Sequence, residues 1–290
     1  MAAKSTTAAP AAAAGTFALG GDLTVNRMGF GAMRLTGPGI WGPPPNQAEA
    51  IRVLQRAVEL GVNFIDTADS YGPHVAEELI AEALHPYPGL VIATKGGFER
   101  PGPNRWVENG RPEYLRRQLK GSLRRLKVDR IDLWQLHRID PKVPEDEQFG
   151  AMREFQEEGL VRHLGLSEVS ADEVDRARKV VPIASVQNRY NVVDRKWDSE
   201  VDYCERDGLA FIPWFPLSAG SLPEPGALRR VAERHGATVY QIALAWLLAR
   251  SPAILVIPGT SSVGHLEENI AAAEIHLGEK DKEELDSLGA

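Results

Sequence analysis

Apolar and polar positions alternate along the chain between two patterns. Short apolar runs are each followed by a longer segment in which apolar residues recur at helical spacing. The runs contain few polar residues, which is typical of parallel strands covered on both faces. They predict strands at Met28–Gly31, Val62–Asp66, Leu90–Lys95, Ile131–Leu136, Val161–Leu166, Ala184–Gln187, Leu209–Pro213 and Ile254–Ile257.

The segments between these runs carry the start signals of helices. Capping pairs three residues apart open two of them, Asn46 with Glu49 and Thr238 with Gln241. A strand–helix unit repeated about eight times in roughly 250 residues is the size of one (β/α)₈ TIM barrel, an α/β fold. An open, doubly wound sheet is the alternative.

The N-terminal region differs from these repeats. Residues 1–14 are mostly Ala, Ser, Thr and Pro and lack the apolar block of a signal peptide, so they predict a disordered Ala-rich tail. Residues 17–25 alternate apolar and polar positions around a Gly-Gly-Asp turn, which predicts a β-hairpin. Residues 15–290 are therefore predicted to form one barrel domain that begins with this hairpin.

Composition and charge narrow the possible partners. The formal net charge of −7 argues against nucleic acid, because binding to phosphates needs a basic surface. No run approaches the ~18 consecutive apolar residues of a membrane span, so no membrane partner is expected. Cys204 is the single cysteine, which excludes an internal disulfide and favours a reducing, cytoplasmic compartment.

Polar side chains stand at the ends of successive predicted strands. Asp66, Lys95 and His137 occupy three of these ends, and Tyr71 lies just beyond the first. The carboxyl ends of barrel strands converge on one face, where active sites are built. A Tyr hydroxyl is a poor acid near neutral pH unless a cation stabilises its phenolate. Lys95 could supply that cation, with Asp66 orienting it and His137 fixing a carbonyl oxygen, so the set predicts general-acid chemistry on a C=O group.

Other chemistries have weaker support in the sequence. The histidines show no metal-ligand spacing, and no G-x-S-x-G elbow of a serine hydrolase is present, so no metal is expected. The glycine-rich segments that begin at Gly29 and Gly259 match neither the dinucleotide nor the P-loop fingerprint. Residues 260–262 precede a predicted helix and could bind an anion or simply cap the helix. A Schiff-base role for Lys95 in a lyase or hydrolase is a further alternative.

Several segments occur in a diagnostic order along nearly the whole chain from about residue 17. They are Phe64–Gly72, Ala93–Gly96, Leu133–His137, Gly165–Ser167, Val186–Asn191, Phe215–Leu217 and Ile257–Asn269, the last with its HLEEN run. Together they resemble the aldo-keto reductase family, and within it a bacterial branch that includes pyridoxal reductases. The resemblance implies a (β/α)₈ barrel that uses NADPH to reduce an aldehyde or ketone to an alcohol. By matching position, Tyr71 donates the proton, Asp66 and Lys95 tune it, and His137 orients the carbonyl.

The same resemblance implies a set of cofactor contacts. The residues placed along the cofactor are Gly31, Ala32, Met33, Ser167, Gln187, Trp214, Leu217, Thr260, Ser262, His265, Glu268 and Asn269. Ser167 and Gln187 would hold the nicotinamide carboxamide, and Trp214 would stack on the ring. Gly259 and Ser262 stand where the family commonly has a Lys or Arg for the 2′-phosphate, and His265 replaces a frequent Arg. The resemblance implies NADPH as the cofactor, and the missing basic side chains leave NADH as the alternative.

The predicted substrate is a small carbonyl compound. Trp41, Trp106 and His74 lie in loops on the site side of the barrel and are predicted to line its pocket. Glu168 replaces the Asn that the family usually has beside its Ser, which removes a side-chain donor to the carboxamide. The sequence does not decide what this change does to cofactor binding. The alternative function is a catalytically weak, reductase-like barrel that senses redox state or binds a partner. Neither the natural substrate nor the oligomeric state follows from the sequence.

Overall fold

Parallel strands form the centre of the structure. The computed structural model describes residues 9–220 and 226–289. Its strands are β1 (Thr16–Leu19), β2 (Leu23–Asn26), β3 (Phe30–Gly31), β4 (Phe64–Asp66), β5 (Val91–Gly96), β6 (Phe98–Gly102), β7 (Arg105–Glu108), β8 (Ile131–Leu136), β9 (Val161–Ser167), β10 (Ser185–Gln187) and β11 (Ala210–Phe211). The central sheet has the order β11-β10-β9-β8-β5-β4-β3, and all its neighbouring strands are parallel. The carboxyl ends of these strands therefore lie at one face of the sheet.

The predicted eighth strand, Ile254–Ile257, closes the sheet through backbone bridges instead of a continuous strand. On one edge, Leu255 N donates to Phe211 O at 2.9 Å. On the other edge, Gly29 N donates to Val256 O at 2.8 Å. Both contacts belong to parallel bridges, so the segment joins the two edge strands. The predicted (β/α)₈ barrel is confirmed, with its last strand reduced to these bridges.

Helices connect the strands on the outside of the sheet. They are α1 (Gln47–Glu59), α2 (Val75–Leu84), α3 (Pro112–Leu126), α4 (Glu145–Glu157), α5 (Ala171–Arg178), α6 (Asp198–Asp207), α7 (Gly226–His235), α8 (Val239–Arg250), α9 (Val263–Ala271) and α10 (Glu279–Asp286). The predicted capping signals operate: the Asn46 side chain accepts from Glu49 N, and Thr238 with Gln241 forms a complete capping box. Buried apolar faces of these helices pack against the sheet and form most of the core.

The N-terminal hairpin is also confirmed, and it closes one end of the barrel. Strands β1 and β2 pair antiparallel, and their buried Leu19 and Val25 join the apolar cluster inside the sheet. In the turn, Asp22 accepts from Arg162 at 2.7 Å, near the start of β9. The hairpin therefore lies at the amino-terminal end of the strands and leaves the carboxyl end open.

The predicted disorder of residues 1–14 is wrong for Pro10–Ala14. Pro10–Ala14 form a 3₁₀ helix, and Ala11 is completely buried. Ala11 N donates to Leu60 O at 2.9 Å, which attaches this segment to the end of α1. The small methyl side chains of Ala allow such close packing. The Ala-rich composition alone does not distinguish this packed segment from a disordered one. Residues 1–8 lie outside the described part of the chain.

A second hairpin, formed by β6 and β7, was not predicted. It follows β5 and pairs antiparallel with an irregular register between Glu99 and Gly102. Its Gly and Pro residues had indicated a loop. The hairpin matters for the site because it carries Phe98 and Trp106 towards the open end of the barrel.

Candidate active site

Four side chains predicted to act together meet at the carboxyl end of the sheet. Asp66 ends β4, Lys95 lies in β5, and His137 directly follows β8. Lys95 Nζ donates to Asp66 Oδ1 at 2.6 Å and to Tyr71 Oη at 3.4 Å. The ring centroids of Tyr71 and His137 are 6.0 Å apart. The structure therefore brings the predicted group together in one place.

Lys95 is a fully bonded, buried ammonium. Its side chain is 0% exposed, and a further bond to Thr67 O at 2.9 Å satisfies its third proton. Burial acts to lower the pKa of Lys95, but the Asp66 carboxylate and the Tyr71 hydroxyl outweigh it and raise the pKa above its usual value. A charged amine behind Tyr71 with no free lone pair is poorly suited to attack a carbonyl, which argues against the Schiff-base alternative.

Tyr71 and His137 both keep neutral side chains at neutral pH. Burial raises the pKa of Tyr71, and the opposing effect of Lys95 is smaller, so the hydroxyl holds its proton. The predicted acidifying influence of Lys95 is thus present but does not dominate. Burial, together with the charges of Lys95 and Arg138, lowers the pKa of His137 well below its usual value. A neutral imidazole offers one N–H donor, which is what a carbonyl oxygen needs.

Two buried amides hold the Asp66 carboxylate. Gln187 Nε2 donates to Asp66 Oδ2 at 2.9 Å, and Gln135 Nε2 donates to the same oxygen at 3.2 Å. Since the other oxygen accepts from Lys95, the carboxylate is fixed on both sides. The amide nitrogen of Gln187 is therefore committed to Asp66, and its carbonyl oxygen is the part available to a ligand.

A cavity of about 1000 Å³ lies over these side chains. The predicted residues that line it are Gly31, Met33, Asp66, Tyr71, Trp106, His137, Ser167, Gln187, Trp214, Leu217, Thr260, His265, Glu268 and Asn269. The cavity runs from Tyr71 to the first turns of α9. Residues implied in catalysis and in cofactor binding therefore face one continuous space.

Two predicted pocket walls lie elsewhere, which corrects their assignment. Trp41 pairs through its backbone with Gly72, and its ring lies 5.7 Å from the Arg100 guanidinium, outside the cavity lining. His74 immediately precedes α2 and lines a separate cavity of about 250 Å³. Backbone bonds fix both loops: Trp41 pairs with Gly72, and His74 N donates to Asp69 O at 2.7 Å. These two side chains therefore stay outside the cavity, although they lie near the site in the sequence. Trp106 does line the main cavity.

Three other predicted residues also lie outside the lining. Lys95 sits behind Tyr71, as its complete burial requires. Ala32 is completely buried in the 3₁₀ turn that follows β3. Ser262 is the residue before α9, and its backbone N donates to Thr260 Oγ1 at 3.2 Å. Ala32 and Ser262 are thus next to cavity residues without facing the cavity themselves.

Two glycines form a tight crossing beside the cavity. A Cβ on Gly31 would lie 2.6 Å from Ile257 O, and a Cβ on Gly259 would lie 2.5 Å from Gly31 O. Any larger side chain at either position would force the two backbones apart. The same Cβ on Gly259 would lie 3.6 Å from Arg34 Cγ, so the Arg34 stem is in van der Waals contact with this position.

Glu168, whose effect the sequence left open, holds the wall residue Trp214. Trp214 Nε1 donates to Glu168 Oε1 at 2.6 Å, and the backbone N of Arg189 donates to the same oxygen. Glu168 itself has a left-handed backbone with φ of 57°. The carboxylate therefore fixes the indole against the cavity and is not turned towards a ligand.

The sequence interpretation missed several cavity residues. Phe98, Arg138 and Tyr240 line it, as do the two charged side chains Arg34 and Glu108. Arg138 had one available signal, since it directly follows a predicted strand-end His. The others lie on a turn, a hairpin and a helix with no distinguishing spacing, so only the folded chain identifies them.

Within residues 9–220 and 226–289, no three His, Cys, Asp or Glu side chains cluster in a way that could hold a metal ion. In the same ranges, every helix is too short or too polar to cross a bilayer.

Comparison with known proteins places this geometry in context. The model of the Aldo/keto reductase family matches residues 27–290. An uncharacterised oxidoreductase of Schizosaccharomyces pombe is 53% identical over 97% of this chain and 92% of its own length. Pyridoxine 4-dehydrogenase of Escherichia coli is 45% identical over 94% of this chain and 98% of its own length.

Solved structures show the same architecture. A thermostable aldo-keto reductase bound to the inhibitor epalrestat has a TM-score of 0.84 and 33% identity, covering 94% of this chain and 99% of its own. An aldo-keto reductase of Klebsiella pneumoniae in complex with NADPH has a TM-score of 0.80 and 25% identity, with 94% of both chains covered.

Proposed function

The chain belongs to the aldo/keto reductase family, an oxidoreductase family, and from this premise we propose that it reduces an aldehyde with Tyr71 as the proton donor. The observation that carries the proposal is the contact between Lys95 Nζ and Tyr71 Oη, 3.4 Å long, next to His137 at the floor of the cavity. A protonated phenol beside a buried cation can give up its proton as negative charge develops on a carbonyl oxygen.

Each residue of the group has a distinct task in this proposal. Tyr71 gives its proton to the carbonyl oxygen, and the Lys95 charge stabilises the phenolate left behind. Asp66 keeps Lys95 charged and in place through their 2.6 Å contact. His137, held neutral by its surroundings, donates a hydrogen bond to the same carbonyl oxygen.

We propose NADPH as the cofactor, which supplies the hydride when bound. The solved Klebsiella relative that binds NADPH supports this assignment. The cavity suits an extended dinucleotide, because it runs as one continuous space from Tyr71 to the first turns of α9. Ser167 and the Gln187 carbonyl, both buried, offer polar groups for the carboxamide, and the indole of Trp214 offers a flat surface for the nicotinamide ring.

Arg34 supports the phosphorylated form of the cofactor. Gly259 and His265 lack the fixed positive charge that a 2′-phosphate favours, and Arg34 reaches the same end of the cavity from the other side. Arg34 is exposed and makes no ion pair with another residue in the described part of the chain. A guanidinium is always charged and suits phosphate oxygens.

For the substrate we propose pyridoxal. Pyridoxine 4-dehydrogenase, at 45% identity over nearly its whole length, supports the interconversion of pyridoxal and pyridoxine. The aromatic side chains of Phe98 and Trp106 line the cavity and suit a flat ring.

The test compares Tyr71→Phe with the wild type in pyridoxal-dependent oxidation of NADPH. We expect kcat to fall about 10²- to 10⁴-fold, because general-acid catalysis contributes on that scale. NADPH affinity, measured by fluorescence titration, should stay unchanged. Tyr203→Phe is the matched control, since Tyr203 donates to Asp175 on the outer helices, away from the cavity.

Either of two results would reject the proposed role of Tyr71. Undiminished turnover by the Tyr71→Phe variant would show that another group donates the proton. Wild-type protein that binds NADPH but reduces no aldehyde would favour the weak, redox-sensing alternative.

A further inference from the structure

Arg138 lies in the wall of the main cavity, one residue after His137. Its Nη1 donates to Ser167 Oγ at 3.0 Å and to the carbonyl oxygen of His137. Its guanidinium carbon is 5.5 Å from the centre of the Phe98 ring and 5.9 Å from the Trp214 ring. Two aromatic faces and two hydrogen bonds thus hold the cation beside the reacting group.

This guanidinium has no carboxylate partner among the residues that the structure describes. Its two hydrogen bonds both use Nη1, which leaves further N–H groups for a ligand. The carboxylates that act on the pKa of Arg138 are those of Glu168 and Glu108. Glu168 is occupied by Trp214, and Glu108 lies exposed on β7. A half-buried cation without a counter-ion is costly, so its presence in a ligand cavity calls for an anionic ligand group.

We propose that Arg138 is a specificity-determining residue that pairs with an anionic oxygen group carried by a flat aromatic aldehyde. The inference rests on the proposed carbonyl reduction and names the class of acceptor: the ring lies against Phe98 and Trp106, and a carboxylate or ring oxide faces Arg138. Pyridoxal belongs to this class when its ring hydroxyl, next to the aldehyde, is ionised.

Binding without turnover gives the first test. Benzoate and benzamide have the same shape, but only benzoate carries the charge. Quenching of tryptophan fluorescence reports their binding to the NADPH-loaded protein, because Trp106 and Trp214 line the cavity. We expect benzoate to bind more tightly than benzamide, and Arg138→Met, which keeps an apolar stem, to reduce that preference about 10- to 100-fold. Arg138→Lys should retain part of it, because the charge remains.

A control variant separates this role from a general effect of removing a cation. Arg189 also stacks on an aromatic ring, with its guanidinium carbon 5.0 Å from the centre of Phe215. It is paired with Asp194 at 2.8 Å, however, and does not line the cavity. Arg189→Met should leave the preference for benzoate as in the wild type.

Kinetics give the second test, with benzaldehyde and its 2-, 3- and 4-carboxy derivatives as acceptors. At least one carboxy isomer should exceed benzaldehyde in kcat/KM, mainly through a lower KM. Arg138→Met should reduce that ratio about 10- to 100-fold. A ratio that Arg138→Met leaves unchanged, or a loss traced entirely to weaker NADPH binding, would overturn the proposal.

The two tests fail separately from the proposed reductase activity. If no aldehyde is reduced, carbonyl reduction is rejected, and the benzoate measurement still decides whether Arg138 binds anions. If benzaldehyde is reduced but benzoate binds no better than benzamide, the activity stands and the role of Arg138 is rejected.

Discussion

Replacing Asp66 by Asn removes one partner of the ion pair on which the site is built. The substitution conserves the shape of the side chain but leaves the Lys95 ammonium, 0% exposed, without its carboxylate 2.6 Å away. It also places an amide where Gln187 and Gln135 donate hydrogen bonds. We expect the variant to be destabilised and to lose turnover.

The structure sets the magnitude. Removing one member of a buried ion pair costs about 3–5 kcal/mol, because the remaining charge stays desolvated. For a chain of this size the melting temperature changes by about 2 °C per kcal/mol, so a decrease of about 6–10 °C is expected. Glu267→Gln is the control. Glu267 pairs with Arg56 at 2.8 Å, and because both side chains are exposed, the pair should contribute no more than about 1 kcal/mol to the free energy of unfolding.

The pH dependence makes the test specific for charge. Asp66 and Tyr71 raise the pKa of Lys95, so their stabilising effect is complete at neutral pH and is lost only as the pH rises through that raised value. Urea unfolding followed by circular dichroism gives the free energy of unfolding. The amount by which Asp66→Asn falls below the wild type should shrink as the pH is raised above neutral, because the unpaired Lys95 can then lose its proton. Adding Lys95→Met should restore part of the stability. A deficit independent of pH, or a double variant less stable than Asp66→Asn, would refute the argument from a stranded charge.

Three further predictions concern activity and cofactor binding. Since the pKa of His137 lies well below 6.5, kcat should show no inflection at that pH; a rate that falls there would contradict a neutral imidazole. Glu168→Gln should weaken NADPH binding about 3- to 10-fold by loosening the charge-assisted bond to Trp214 Nε1, and unchanged affinity in fluorescence titration would dismiss that positioning role. Arg34→Met should raise the Kd of NADPH about 10-fold and leave that of NADH unchanged, whereas equal weakening would place Arg34 away from the 2′-phosphate.

Local patterns in the sequence were sufficient for the barrel and for the central group of the site. Strand–helix alternation, capping pairs and the Gly-Gly-Asp turn act over a few residues, so they can be read without the fold. Asp66, Lys95 and His137 stand at strand ends. In a parallel barrel the carboxyl ends of the strands converge on one face, so these three side chains are expected to lie close together. The rule does not extend to Tyr71, a loop residue whose contact with Lys95 only the folded chain shows.

Other features depend on partners that are distant in the sequence. Three contacts show this: the backbone bond from Ala11 to Leu60, the bond from Trp214 to Glu168 and the bond from Arg138 to Ser167. No local pattern in the sequence indicates any of them. The net pKa shift of Tyr71 is likewise a balance between burial and the charge of Lys95. Such balances depend on desolvation and on distances between atoms, and these quantities exist only once the chain has folded.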